Sequence, residues 1–338
     1  MDALLITGLE NIRYLSGFTG SNAVLLVMKK ESYFFTDSRY ETQAGEEVKN
    51  LSIICGRKLL ESVSAWAVKG GVKRLGFEGE KVSYDEFLRL RDGLNGCELR
   101  SLSRELGTIR SAKEQREIAL MRKAIAIGDR GFACAAEMIA PGVAEKDIAR
   151  HIEGEIRRWG ADAAAFDIIV ASGARAALPH GIASDKKIER GDFVIVDLGV
   201  SFRGYNSDET RTFVVGKASR RQEGVYQIVK EGHDRAIGAV KAGVRASDVD
   251  NAARGYIQKR RMGKYFEHGT GHGVGIAVHE PPTVSPNSSD VLEKGMVITI
   301  EPGVYIPGWG GVRIEDMVLV TDRGGEILTK GSKEMTLI

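Results

Sequence analysis

The 338 residues carry 43% apolar, 28% charged and only 7% aromatic side chains, a globular balance that excludes a disordered tail or a collagen-like array. Lys and Arg number 48 against 46 Asp and Glu, so the net charge of +2 is too small for a nucleic-acid surface. A chain of this length exceeds what one core usually fills, and two domains are expected, 1–108 and 109–338. Cys55, Cys97 and Cys134 are far apart and form no CxxC pair, so neither a disulfide framework nor a cysteine zinc site is encoded. Asp2 stands where a signal peptide needs basic residues, and the apolar run Ala23–Met28 is too short to cross a bilayer. A cytoplasmic protein that stays off the membrane is expected.

In chain order, 4–6, Ala23–Met28 and 33–35 have strand composition, and 84–94 has helical spacing. No catalytic constellation occurs before residue 108. Ser111-Ala112-Lys113-Glu114 reads as a capping box that opens a long helix. Its apolar positions Ile118, Met121, Ala124, Ile125 and Ala135 recur at helical intervals until Pro141-Gly142. Beyond this the chain repeats itself. Gly191 to Val200 aligns without gaps on Gly295 to Val304, which sets Asp197 against Glu301; Gly142-Val143 and Asp147-Ile148 align on Gly243-Val244 and Asp248-Val249 at nearly the same offset. Near-constant offset favours duplication over chance likeness of apolar strands. Two similar αβ halves are expected, 110–216 and 217–325, related by a pseudo-twofold axis, with a site lined from both.

Each half carries a hairpin with two acids. In the first, 194–197 goes out with Asp197 and 208–215 returns with Asp208; in the second, 297–301 ends at Glu301 and 313–320 returns with Glu315. Acids directly opposite one another on a hairpin have Cβ atoms about 5 Å apart. Four such carboxylates would repel one another and raise one another's pKa, whereas two divalent cations cancel their charge. Oxygen-rich ligation with one imidazole suits a dinuclear site, with Mn²⁺ as first choice and Co²⁺, Zn²⁺ or Fe²⁺ as alternatives. Four of the six histidines, His180, His268, His272 and His279, fall in two short segments marked by glycine and proline. The Gly-rich run around His272 lacks the GK[ST] ending of a phosphate loop and no long helix follows it, so phosphate binding is poorly supported.

Asp197-Leu-Gly, Tyr205-Asn-Ser-Asp208-Glu-Thr-Arg-Thr212, His268-Gly-Thr-Gly-His272-Gly-Val-Gly, Val278-His279-Glu-Pro, Thr299-Ile-Glu301-Pro-Gly303 and Gly311-Val-Arg-Ile-Glu315-Asp together resemble the pita-bread metallopeptidases. That family includes methionine aminopeptidase, prolidase and aminopeptidase P, and the extra N-terminal domain and the SD-x-TRT segment resemble its proline-specific branch. The resemblance implies a mixed α/β chain, with a creatinase-like N-terminal domain followed by a pseudo-twofold catalytic domain. It implies that Asp197 chelates one metal, that His272 and Glu301 hold the other, and that Asp208 and Glu315 bridge the pair. It further implies substrate contacts from His180 and His279, a proline pocket shaped by His268 with Tyr305 as a further substrate-binding residue, and a bracing role for Arg313.

The activity so implied is hydrolysis of the bond before proline. Two metals activate a water, His279 donates toward the developing oxyanion, and Glu301 moves a proton from water to the leaving nitrogen. A homodimer acting on peptides with proline at the second position is implied as well. In prolidases an Arg follows His-Glu-x-Pro, where it can hold a dipeptide's carboxylate; here Thr283 stands there. The expectation is therefore an Xaa-Pro aminopeptidase, with Xaa-Pro dipeptidase as the alternative. A catalytically silent metal-binding module of the same fold is a third possibility.

Overall fold

The computed structural model describes residues 1–338, in two compact units, 1–110 and 111–338. The first unit runs β1 (Ala3–Ile6), α1 (Leu9–Ser16), β2 (Ala23–Met28), β3 (Ser32–Thr36), α2 (Glu41–Glu47), β4 (Ser52–Cys55), α3 (Leu59–Lys69), β5 (Arg74–Phe77), α4 (Tyr84–Gly93), β6 (Glu98–Ser101) and α5 (Ser103–Gly107). Its six strands form one mixed sheet in the order β4-β3-β2-β1-β5-β6. Successive side chains on a strand face opposite ways, so this sheet is apolar on both sides. Leu5, Leu26, Phe35 and Leu75 pack with Val63 and Ala67 of α3, while Ile6, Leu25 and Phe34 pack with Ile12 of α1 and Ala44 of α2. The buried Glu78 carboxylate accepts from the amides of Thr7 (2.6 Å) and Gly8 (2.7 Å), which satisfies donors at the start of α1.

The second unit opens with α6 (Gln115–Met138), α7 (Glu145–Arg158), β7 (Ala163–Ala164), β8 (Ile169–Ser172), β9 (Phe193–Leu198), β10 (Val200–Phe202), β11 (Tyr205–Asn206) and β12 (Glu209–Val214). Then come α8 (Arg220–Ala239), α9 (Ala246–Lys259), β13 (Gly271–Gly273), β14 (Glu280–Val284), β15 (Val297–Ile300), β16 (Gly303–Ile306), β17 (Gly310–Arg313), β18 (Asp316–Val320), β19 (Gly325–Ile327) and β20 (Thr336–Leu337). The duplication is visible as a repeated unit, a helix pair laid on an antiparallel strand pair. In the first half, Ala124 and Ala135 of α6 with Ile148 and Ile152 of α7 cover Val194, Val196 and Leu198 of β9. In the second, Ala236 of α8 with Val249 and Ala253 of α9 covers Ile298, Ile300 and Val318. The two main sheets, β20-β12-β9-β8 and β14-β13-β15-β18-β19, carry the acids at the ends of their central strands.

Three local expectations are corrected. Ser111 does not cap α6: Ala112 bridges Met296 and the Lys113 amide donates to Gly295 O at 2.8 Å, so the chain is still extended there. Glu114 is the N-cap and Glu117 completes the box. The helix stops at Met138 rather than running to Pro141, and the left-handed residue Gly142 (φ 92°) turns the chain into α7. The return strand of the second hairpin is broken. Arg313 ends β17, which pairs with β16, whereas β18 pairs with β15, and Ile314 and Glu315 cross between them. The crossing is held by the other half, since the Glu315 amide donates to Thr210 O (3.1 Å) and Thr212 Oγ1 donates to Arg313 O (2.8 Å).

Candidate metal centre

Strand register decides which acids face each other. Asp197 on β9 pairs with Thr210, not with Asp208, and Asp208 lies two residues before that partner on the same face of the strand. In the second half Ile300 pairs with Asp316, so Glu301 and Glu315 follow as the next opposed positions just beyond the ladder. The first acid pair is thus diagonal rather than directly opposed, which corrects the simple hairpin expectation. His272 comes from β13, the neighbour of β15, with its amide held by Thr299 Oγ1 at 3.0 Å.

Ligand-capable atoms of Asp208, His272 and Glu315 lie within 4.8 Å of one another. His272 Nε2 is 3.3 Å from Glu301 Oε1 and 3.6 Å from Asp208 Oδ2. His272 Nδ1 donates to Gly273 O at 3.1 Å, which leaves Nε2 as the atom aimed at the carboxylates, the tautomer a ligand requires. Asp197 Oδ1 is buried without a hydrogen-bond partner. Burial, reinforced by neighbouring carboxylates, holds Asp208 and Glu315 well above the usual carboxylate range, and burial also raises Asp197 against the pull of Arg313. Burial opposes ionisation of Glu301 and of His272 too, but each outweighs it for the other: Glu301 falls to about 2 and His272 rises to about 9. Orphaned acceptor, convergent oxygens, one correctly tautomeric imidazole and mutually repelling acids fit two divalent cations.

Arg313 is fully engaged. Its Nη2 donates to Asp197 Oδ2 (2.6 Å), Nη1 to Tyr305 Oη (2.9 Å) and Pro179 O (3.0 Å), and Nε to Thr210 Oγ1 (3.0 Å). The bond to Pro179 ties down the loop in which His180 stands exposed. His268 donates from Nδ1 to Gly269 O (2.7 Å), so its Nε2 accepts from Tyr305 Oη (3.0 Å). Burial favours this neutral imidazole and also pushes Tyr305 up to about 12. His279 is exposed, with its ring centroid 4.1 Å from that of His272. All ten site residues singled out in the sequence therefore line one region of the second unit, with His180 and His279 at its open side.

Several residues at this site were not foreseen. Thr210 Oγ1 donates to Glu315 Oε2 at 2.6 Å while accepting from Arg313, and Thr299 Oγ1 donates to Glu301 Oε1 at 3.1 Å. A period-of-two reading would have found both, because Thr210 lies two positions from Asp208 and Thr299 two from Glu301. Asp250 and Arg254 on α9 have no such signal. Asp250 Oδ1 accepts from Thr270 Oγ1 (2.7 Å), Arg254 donates to Phe266 O (2.8 Å) and His268 O (2.7 Å), and Thr270 O receives the Glu301 amide (2.7 Å). One helix thereby braces both the His268 wall and Glu301.

Residues 119–322 match the model of metallopeptidase family M24, and residues 1–112 match the creatinase/prolidase N-terminal domain. The chain is 40% identical over 335 residues to a Xaa-Pro dipeptidase of Pyrococcus horikoshii, covering 99% of this chain and 94% of that one. Among solved structures it is similar to a Xaa-Pro dipeptidase from Bacillus anthracis (TM-score 0.96, 40% identity, 100% and 95% coverage). It is also similar to an X-Pro aminopeptidase from Thermotoga maritima (TM-score 0.90, 36% identity, 100% and 98% coverage). With a pita-bread catalytic unit preceded by a creatinase-type domain, the chain belongs to metallopeptidase family M24.

Proposed function

We propose that this chain is an Xaa-Pro dipeptidase, in place of the aminopeptidase expected from Thr283. The observation that carries the reading is likeness along the whole chain, at 40% identity, to a dipeptidase sequence and to a dipeptidase structure of TM-score 0.96. Asp197, Asp208, His272, Glu301 and Glu315 hold two divalent cations, Mn²⁺ by preference among Co²⁺, Zn²⁺ and Fe²⁺. When bound, these supply Lewis-acid polarisation of the scissile carbonyl and a nucleophilic water at neutral pH. Glu301, ionised and half-buried, accepts the water's proton and delivers it to the proline nitrogen as the bond breaks. His279 donates toward the carbonyl oxygen as it becomes negative. His268 and Tyr305, locked by Arg313, form the wall against which the proline ring rests.

Thr283 is the observation favouring the second reading, an Xaa-Pro aminopeptidase. Its residue pairs with His272 across β13 and β14, its side chain is exposed, and Arg313 is too fully bonded to replace a missing cation. Under the dipeptidase reading the substrate carboxylate is met by the exposed imidazole of His180. Release of the N-terminal amino acid from Xaa-Pro dipeptides and Xaa-Pro-Xaa tripeptides by Mn²⁺-loaded protein, with and without chelator, is the test. Preferential dipeptide cleavage abolished by chelator is expected; equal or better tripeptide cleavage selects the aminopeptidase, and activity surviving exhaustive chelation overturns both.

A further inference from the structure

We infer that Lys113 is a positioning residue: through a buried ion pair with Glu280 it holds the loop that carries His279. The pair is close and dry, with Lys113 Nζ donating to Glu280 Oε1 at 2.7 Å and each side chain 1% exposed. Lys113 is itself immobilised. Its amide donates to Gly295 O (2.8 Å), Nζ also donates to Ser111 O (2.8 Å), and the preceding residue bridges Met296. The segment that reads in sequence as a helix cap is thus a strut between the start of the second unit and its second half.

Residues 274–280 wrap around the carboxylate that Lys113 holds. The Ala277 amide points at Glu280 Oε2 (3.4 Å), and a Cβ on Gly275 would lie 2.4 Å from Glu280 Oε1, so only glycine admits this approach. From the other side Asn206 donates its amide to Gly275 O (2.9 Å) and its Nδ2 to Ile276 O (2.9 Å). His279 is the last residue of the bend that runs into Glu280, the first residue of β14, so a Glu280 fixed inward sets where that bend delivers His279, beside His272. A buried ion pair contributes little net stability compared with apolar residues of the same volume. What it provides here is a fixed direction for the residue next to it.

This inference rests on the proposed role of His279. Glu280→Gln and Lys113→Met in Mn²⁺-loaded full-length protein should each lower kcat by about 10- to 100-fold, the scale of an ångström-level misplacement, with KM and metal content near wild type. In a His279→Ala background Glu280→Gln should cost less than about 2-fold more, because the group it positions is already gone. The double variant Lys113→Met/Glu280→Gln leaves no unpaired buried charge; it should melt near wild type yet keep the low kcat. Hydrogen exchange should accelerate in 274–280 of Glu280→Gln and stay unchanged in α6. Additive losses in the His279→Ala background, loss of metal, or unchanged exchange in 274–280 would each overturn the inference. A wild-type protein inactive on every Xaa-Pro peptide would sink the functional reading alone, and exchange would then decide the anchoring by itself.

Discussion

Asp208 and Glu315 are buried acids whose charge is tolerable only when something positive sits between them, since burial and their neighbours both resist ionisation. Asp208→Ala and Glu315→Ala should therefore each lose bound metal and activity together, as read by elemental analysis beside the peptidase assay. A variant that retained two metals and the wild-type rate would refute the dinuclear assignment. His279 is different because it is exposed and lies outside the proposed ligand set. His279→Ala should lower kcat by roughly 10²-fold with metal content intact, and loss of metal instead would make it a ligand. Thr283→Arg places a fork beside the cleft that suits a terminal carboxylate, so kcat/KM should rise for Xaa-Pro dipeptides relative to tripeptides. No change in that ratio would show that the position does not face the substrate's end.

At the scale of elements, the two halves are stitched where β12 meets the crossing between β17 and β18. Thr210 is the stitch, fully buried, giving its proton to Glu315 and taking one from Arg313. Thr210→Val keeps the shape but strands two charged groups. It should destabilise the protein by about 2–4 kcal/mol in urea titrations and weaken metal binding, while Thr210→Ser should recover most of both. An unaltered midpoint would mean that Glu315 and Arg313 find other partners. The same region explains why the second hairpin departs from its sequence pattern. A continuous return strand through 313–320 would have served one sheet, whereas the observed break lets Arg313 reach Asp197 and Glu315 reach Thr210, both in the other half.

For the whole molecule, the charge cluster couples folding to metal and to pH. The raised carboxyl pKa values of Asp208 and Glu315 mean that in metal-free protein the unfolded chain ionises first as pH rises above about 4, so their contribution to stability is complete below that and falls above it. His272, raised to about 9, acts with the same sign: its contribution is present below about 6.5 and is lost as pH rises through 9. Glu301, lowered to about 2, contributes throughout this range and is lost only in acid. Chelated protein should thus melt at progressively lower temperature between pH 5 and 9. Mn²⁺ should raise Tm, and more so at high pH, because bound cations favour the ionised acids. A Tm in chelator that stayed flat or rose with pH would contradict this picture of the cluster.

Identities at fixed spacing were enough to reveal the duplicated halves, the acids Asp197, Asp208, Glu301 and Glu315 and the histidine segments, because strand periodicity and repetition are local properties of the chain. The resemblance carried by those same residues anticipated the family. Three decisions belonged to the tertiary structure. Lys113 became a buried strut rather than part of a helix cap because Gly295, almost two hundred positions away, claimed its amide first. The second return strand broke because partners in the other half outbid its own ladder. Asp250 and Arg254 came to brace His268 and Glu301 because α9 packs against their loop. A backbone amide or a buried charge must be satisfied by whatever folding brings beside it, and that neighbour is not encoded in the residues on either side.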